Sequence, residues 1–359
     1  MRINCKNIVL RLLQSLALST ILVNSASGQI GGIGTFDFLN LTQSARSIAL
    51  GGNPIALSDD DVAQVFNNPA LLNHDMGHHV SVNHNFHFAD ISFGSFGYAL
   101  PLTRDSSNFF IGVNYINYGS FVRADNIGTI NGEFSASESA LHLGYSRKID
   151  ERLRLGIVLK YADSNLENFG ATGIGGDVGI FYSNSGRNSS WAFVLKNIGG
   201  QFTSFSAQRE SYPTELQIGF QKRLAHIPFR YMITAHNLQR WDLTSPLDTE
   251  EQTIFIGSTE GASQGGFSKA IDNLFRHLSF GGEILIGSNE VVRVRFGYNH
   301  LLNKELSVSG FRSLSGFSFG FGLRIKKIRF DYGVGRYHLA GGVNHLSLSI
   351  DLQSIMRKI

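Results

Sequence analysis

From His78 onward the sequence is written in a two-residue period, and that period limits the fold more than any other feature. Val292, Val294, Phe296 and Tyr298 fall on one side of an extended chain, with Arg293, Arg295 and Gly297 on the other. Phe317, Phe319, Phe321, Leu323 and Ile325 alternate in the same way with Ser318, Gly320, Gly322 and Arg324. So do Leu346, Leu348, Ile350 and Leu352 with Ser347, Ser349 and Asp351. Successive side chains of a strand point to opposite faces, so each run is a strand with one greasy and one polar side. Soluble sandwiches alternate too, but here the apolar members are large and the opposing side is glycine, serine and charge. The runs are about 10 residues long, the length a tilted strand needs to cross a bilayer.

Fourteen such runs can be read, at 79–88, 90–102, 108–119, 135–149, 153–169, 172–184, 191–205, 212–224, 228–241, 278–288, 291–303, 315–325, 328–339 and 342–352. The even-numbered connections are short: 103–107, 150–152, 185–190, 225–227, 289–290 and Lys326-Lys327. Among the odd-numbered ones are 120–134, 206–211, 242–277 and 304–314. Short turns at one end and long loops at the other are the pattern of outer-membrane barrels, with the short turns in the periplasm. The sequence therefore predicts an all-β membrane protein, a 14-stranded antiparallel transmembrane β-barrel over 78–359. Composition agrees: 16% charged residues against about 25% in ordinary soluble domains, with 40 glycines and 28 phenylalanines.

Residues 1–28 read as a secretion signal. Arg2, Lys6 and Arg11 flank an apolar run from Leu12 to Val23, followed by the small residues Ala26, Ser27 and Gly28. Its removal takes away Cys5, the one cysteine, and lowers Lys plus Arg from 31 to 28, equal to the 28 acids. A neutral mature chain has no basic field for nucleic acid.

Residues 29–77 lack sustained alternation. Ser58 reads as a helix cap with Asp59, Asp60 and Asp61 in the first turn, and Asn68 as a second cap with Pro69 at the first helical position. About 50 residues are too few for a separate core, so this segment is expected to fold as a small helical plug inside the barrel.

Two expectations follow from strand phase. Pairing Ile286 with Val292 across the turn places Glu283 opposite Arg295 toward the lumen, an ion pair in a partly wet interior. Between Ile91 and Tyr98 the apolar phase slips, which predicts a bulge near Gly94-Ser95. Trp191, Trp241, Tyr98 and Tyr231 are placed as interfacial girdle residues.

Chemical motifs carry little. Gly316-Phe-Ser-Phe-Gly320 matches a nucleophile elbow in letters, but Ser318 lies inside a period-2 strand where that motif needs a strand-to-helix turn. Gly173 to Gly179 resembles a phosphate loop only in glycine content. His84 and His87 face opposite ways on a strand and cannot share a metal without a bulge. No nucleophile–base set is visible, and no cofactor, metal or enzymatic activity is expected.

Two long strings carry a family resemblance. One runs from Asp37 through Ser-Ala-Arg-Ser-Ile-Ala-Leu-Gly-Gly52 and the acidic Asp59–Asp61 to Asn68-Pro69-Ala70 and Leu72; the other runs from His84 to Tyr98. With Leu195 to Gly200 and His277 to Glu283, they resemble the FadL-like outer-membrane barrels, and within them the branch that serves the type IX secretion system of Bacteroidota. The resemblance implies fourteen strands, an N-terminal hatch with Asn68, Pro69 and Ala70 as its motif, and residence in the bacterial outer membrane. It also implies a non-enzymatic role in a surface attachment complex that links cargo to lipopolysaccharide, with a PorZ-like surface protein, PorU and PorV as partners. The loop 242–277, carrying Asp242, Asp248, Glu250, Glu251 and Glu260, is the candidate docking surface. The alternative is a FadL-like passive channel for long-chain fatty acids or other hydrophobic small molecules. It needs a continuous apolar path, whereas the inward face carries Arg154, Lys160, Gln217, Arg230 and Arg293.

Overall fold

The computed structural model describes residues 34–87, 90–103, 107–125, 127–205, 209–244, 266–287, 290–306, 314–338 and 341–353. The expected signal segment lies outside them. Among the described residues are fourteen strands: β1 His79–Phe86, β2 Ser92–Thr103, β3 Ser107–Ala124, β4 Ile130–Lys148 and β5 Leu153–Leu166. There follow β6 Phe169–Asn184, β7 Ser189–Thr203, β8 Glu215–Arg223, β9 Phe229–Ala235 and β10 Leu278–Ile286. The last four are β11 Val292–Asn299, β12 Phe317–Ile325, β13 Ile328–His338 and β14 Gly341–Asp351. Each pairs antiparallel with its chain neighbours, and β1 pairs with β14, closing the barrel. Closure removes the unpaired edges that hydrocarbon would not tolerate.

Burial follows the two-residue period. In β5, Leu155, Ile157, Leu159 and Tyr161 are exposed while Val158, Lys160 and Ala162 are buried. The outer surface is thus a wall of large apolar side chains, and the polar side faces inward. The wall is uneven in height: β3 to β7 run 14–19 residues, whereas β8 to β12 run 7–9.

Inside the barrel sits the segment from Gly34 to Gly77. It is built from one short helix, α1 Ala45–Ala49, and 3-10 turns at Asp37–Asn40, Val62–Phe66, Pro69–Leu71 and His74–Met76. Helix α1 packs on β11 to β14, Pro69–Leu71 on β4 to β6, and Val62–Phe66 on β1 and β2, so the plug touches the wall on several sides.

Several local expectations need correction. The run 228–241 ends as a strand at Ala235, shortly before Asn237 adopts a left-handed φ of 55°. The run 291–303 ends at Asn299, whose side chain caps a second helix, α3 His300–Glu305; helix α2, Gly266–Arg276, precedes β10. The cap is Asp61 and not Ser58: the turn starts at Val62, with Asp61 accepting from the Ala63 N–H, while Asp59 and Asp60 pair with arginines. No bulge occurs at Gly94-Ser95, since β2 keeps an unbroken register with β1 from Ser92 to Tyr98 and with β3 from Ser92 to Pro101. The phase slips because Phe93 turns inward, onto an apolar part of the plug.

Candidate functional site

The site is the contact between plug and wall. Ser44, in extended conformation, caps α1 by accepting from the Ser47 N–H at 3.1 Å, which aims Arg46 sideways into the barrel wall. The Arg46 guanidinium is fully buried and meets Asp59 at 2.6 Å, Asp61 at 3.2 Å and Glu283 of β10 at 3.3 Å. Glu283 accepts in addition from Arg230 of β9 and, at 2.8 Å, from Arg295 of β11. Glu283 and Arg295 are direct cross-strand partners, but their surroundings are dry, with neither side chain in contact with solvent. The interior expected to be partly wet is filled here by the plug.

The cluster extends along the wall toward the short-turn end. Arg295 donates to Asp331 at 2.7 Å. Arg329 of β13 meets Asp60 at 2.9 Å, Asp61 at 2.8 Å and Asp331 at 3.2 Å, and Arg324 also pairs with Asp60. Three acids in a row from the plug are thus distributed among arginines from four strands and from α1. Around Arg46, Glu283 and Arg295, none of which reaches solvent, each charge requires a partner, and the pairs together fix the position of the plug.

On the opposite wall the Asn-Pro-Ala motif makes a second fixed contact. The Asn68 side chain accepts from the Ala70 N–H and donates to the Ile55 carbonyl, both at 2.9 Å. Pro69 occupies the first helical position, where no N–H is needed. The turn lies directly on Gly156 of β5 and Gly179 of β6, where a methyl group would overlap Pro69, Ala70 and the Asn68 side chain. Ser146 donates to the Leu72 carbonyl at 2.6 Å, and Arg154 to the carbonyls of Ala70 and Leu71 at 3.2 Å. A third contact is the buried ion pair of Lys160 with Asp177 at 2.8 Å, tied to the plug through Asn197, which donates to Asn40 at 2.7 Å.

Apolar packing between plug and wall gathers in separate patches, one of them toward the long-loop end. Phe36, Phe38 and Leu39 of the plug pack with Phe93, Ile116 and Tyr212 over the small wall residues Ala140, Ala162 and Ala171. A cavity of about 290 Å³ opens nearby between Leu41, Ile48, Leu302, Phe317, His236 and Arg336. Arg154, Lys160, Gln217, Arg230 and Arg293 all face inward, and the buried ionic cluster lines the wall from β9 to β13.

Of the acidic docking residues, Asp242 is described: it is exposed and accepts from the N–H and hydroxyl of Thr244. Asp248, Glu250, Glu251 and Glu260 lie outside the described residues. Of the expected girdle, Trp191 starts β7 with its ring outward, and Trp241 is exposed beyond the strand ends. Tyr98 sits mid-strand in β2 with its hydroxyl on the His78 ring. Ser318 is the second residue of β12, and a strand, not a helix, continues from it. Sequence reasoning missed Arg46, Arg329 and Asp331. The usable signal was a run of three acids in a segment enclosed by a wall that carries arginine at alternate inward positions.

No protein-family model matches the chain, and no curated protein matches it. Solved structures do. The toluene transporter TodX of Pseudomonas putida is similar at 13% identity with a TM-score of 0.50, over 86% of this chain and 96% of that one. A FadL homologue of Pseudomonas aeruginosa gives 11% identity and a TM-score of 0.48, over 86% and 98%. The likeness is one of architecture, and it agrees with the strand count and closure seen here. The chain has the fold of the FadL-like outer-membrane barrels.

Proposed function

We propose that this barrel is a non-enzymatic anchor in the bacterial outer membrane, holding surface partners of a type IX attachment complex in the manner of PorQ. The observation that carries the reading is Arg46, held by two plug carboxylates and one wall carboxylate with no solvent contact. A plug fastened by buried charge suits a lumen that stays closed, since leaving any one of these ions unpaired is strongly unfavourable. The partner classes come from the sequence resemblance: a PorZ-like surface protein, PorU and PorV, with lipopolysaccharide as the surrounding lipid. Affinity purification from envelope membranes tests it. These partners are expected to co-purify, and to be lost when 245–265 is removed while the barrel still inserts. A barrel that purifies alone refutes the reading.

A second reading, a FadL-like passive channel for long-chain fatty acids or other hydrophobic small molecules, has its own support. The fold is similar to that of a toluene transporter, and an apolar patch of plug and wall lies toward the long loops. The likeness of fold speaks more directly for this reading than for the first. Uptake of a fatty acid into proteoliposomes, abolished by Asn68→Ala, would put it ahead.

A further inference from the structure

The barrel wall is lowest from β8 to β12, and at β9 and β11, with 7 and 8 residues, it falls short of the roughly 9–11 that a tilted strand needs to cross a bilayer. Strands β8 to β12 have 7–9 residues. At about 3.3 Å per residue and a tilt of about 40°, eight residues rise roughly 20 Å, against an apolar band about 25 Å tall. Above this low side lie α2 and α3.

Helix α2 has its polarity turned inside out for a surface helix. Ile271, Leu274 and Phe275, at the i, i+3, i+4 spacing of one face, are 40%, 46% and 43% exposed. On the other face Asn273 and Arg276 are buried. Asn273 accepts from the Leu243 N–H and donates to the Trp241 carbonyl, leaving the Trp241 ring 69% exposed beside the helix. Apolar outward and polar inward is the pattern of the strands themselves.

A chain of rings joins this face to the lipid-facing wall. Phe275 packs edge-on to His300 at 6.0 Å, His300 lies against Tyr298 at 6.0 Å, and Tyr298 against Phe317 at 4.7 Å. The polar side is pinned in the same direction: Asp272 bonds the far nitrogen of His300 at 3.0 Å, and the near one bonds the Tyr298 hydroxyl at 2.8 Å. The exposed face of α2 is therefore continuous with the apolar exterior of β11 and β12.

We propose that α2 lies in the boundary of the outer leaflet, with Ile271, Leu274, Phe275 and Trp241 among lipid acyl chains, completing the apolar band where the strands fall short. Amphipathic helices settle in that boundary with their apolar face roughly 5–10 Å deep, which matches the shortfall. The inference is independent of both functional readings above.

The test uses the full-length protein with Trp191→Phe, which leaves Trp241 as the only indole. In liposomes containing phosphatidylcholine brominated near the top of its acyl chains, Trp241 emission is expected to fall by about half, and aqueous iodide to quench it weakly. Adding Leu274→Asp and Phe275→Asp should reverse both effects, while gel heat-modifiability shows that the barrel remains folded. If Trp241 is quenched freely by iodide and not by brominated lipid, the face belongs to water or to a protein partner and the proposal fails. It fails equally if the double substitution leaves lipid quenching unchanged.

Discussion

Arg46 and Glu283 stand 237 positions apart in the chain, yet their side chains meet at 3.3 Å with no solvent contact for either. That contact joins the plug to the wall, and Glu283 accepts two further guanidiniums from β9 and β11. A buried ionic cluster adds little stability over well-packed apolar side chains, so its value lies in specifying one position for the plug.

Removing the shared carboxylate leaves Arg46, Arg230 and Arg295 with one buried partner fewer each. Glu283→Ala is expected to cost about 3–5 kcal/mol, read as a lowered denaturation midpoint of the folded barrel in detergent or liposomes. The exposed pair Arg123–Glu167 gives the contrast, since Arg123→Ala should change the midpoint by at most about 1 kcal/mol. Equal effects of the two substitutions would mean that the cluster is not dry.

The same cluster is expected to govern electrical leakiness. Arg46→Ala removes the cation shared by Asp59, Asp61 and Glu283, so their mutual repulsion should loosen the plug from β10. Single-channel recording in planar bilayers should show little conductance for the unmodified protein and frequent open events for the variant. A quiet variant would place the seal elsewhere, in the contact of Pro69–Leu71 with β4 to β6.

That contact makes its own prediction. Gly156 and Gly179 let the backbone of Pro69 and Ala70 lie directly on the wall, and a side chain at either position has no room. Gly156→Val should destabilise the barrel by about 1–3 kcal/mol or more and expose the plug to protease. Gly200, whose added methyl meets nothing within 4 Å, is the matched control: Gly200→Val should leave protease resistance intact.

Strand pairing was legible because the two-residue period is written into each run by the lipid on one side. Glu283 and Arg295 could be paired from the turn alone, since register is fixed once the hairpin is closed. The plug was harder. Its turns are too short for a 3.6-residue period, so Asp59 to Asp61 all read as a helix start, whereas Asp61 alone caps the turn and all three serve as counter-ions for Arg46, Arg324 and Arg329. Phe93 misled for a related reason, because an inward aromatic can be read correctly only once the apolar Phe36 and Phe38 are known to face it. Helix α2 was hidden in a loop, where an apolar face without a strand period gives no cue to what covers it.

The anchoring of α2 should be sensitive to acid. Partial burial pushes the Asp272 carboxyl up, but hydrogen bonds from His300 and Arg276, with the charges of Arg276 and Lys304, outweigh it and hold the group at about 2, below the ordinary 3.8. A carboxyl held low in the folded state stabilises it fully above its unfolded value, and that contribution disappears as the pH falls through the folded one. Trp241 emission in the Trp191→Phe protein should therefore show a step between about 3.8 and 2 as α2 loses its hold on α3. Asp272→Asn removes the titrating group, so its emission at neutral pH should already resemble that of the acid form and show no further step. A step of unchanged size and midpoint in that variant would assign the acid response to another carboxyl, with Asp242, held low by Thr244, the nearest alternative.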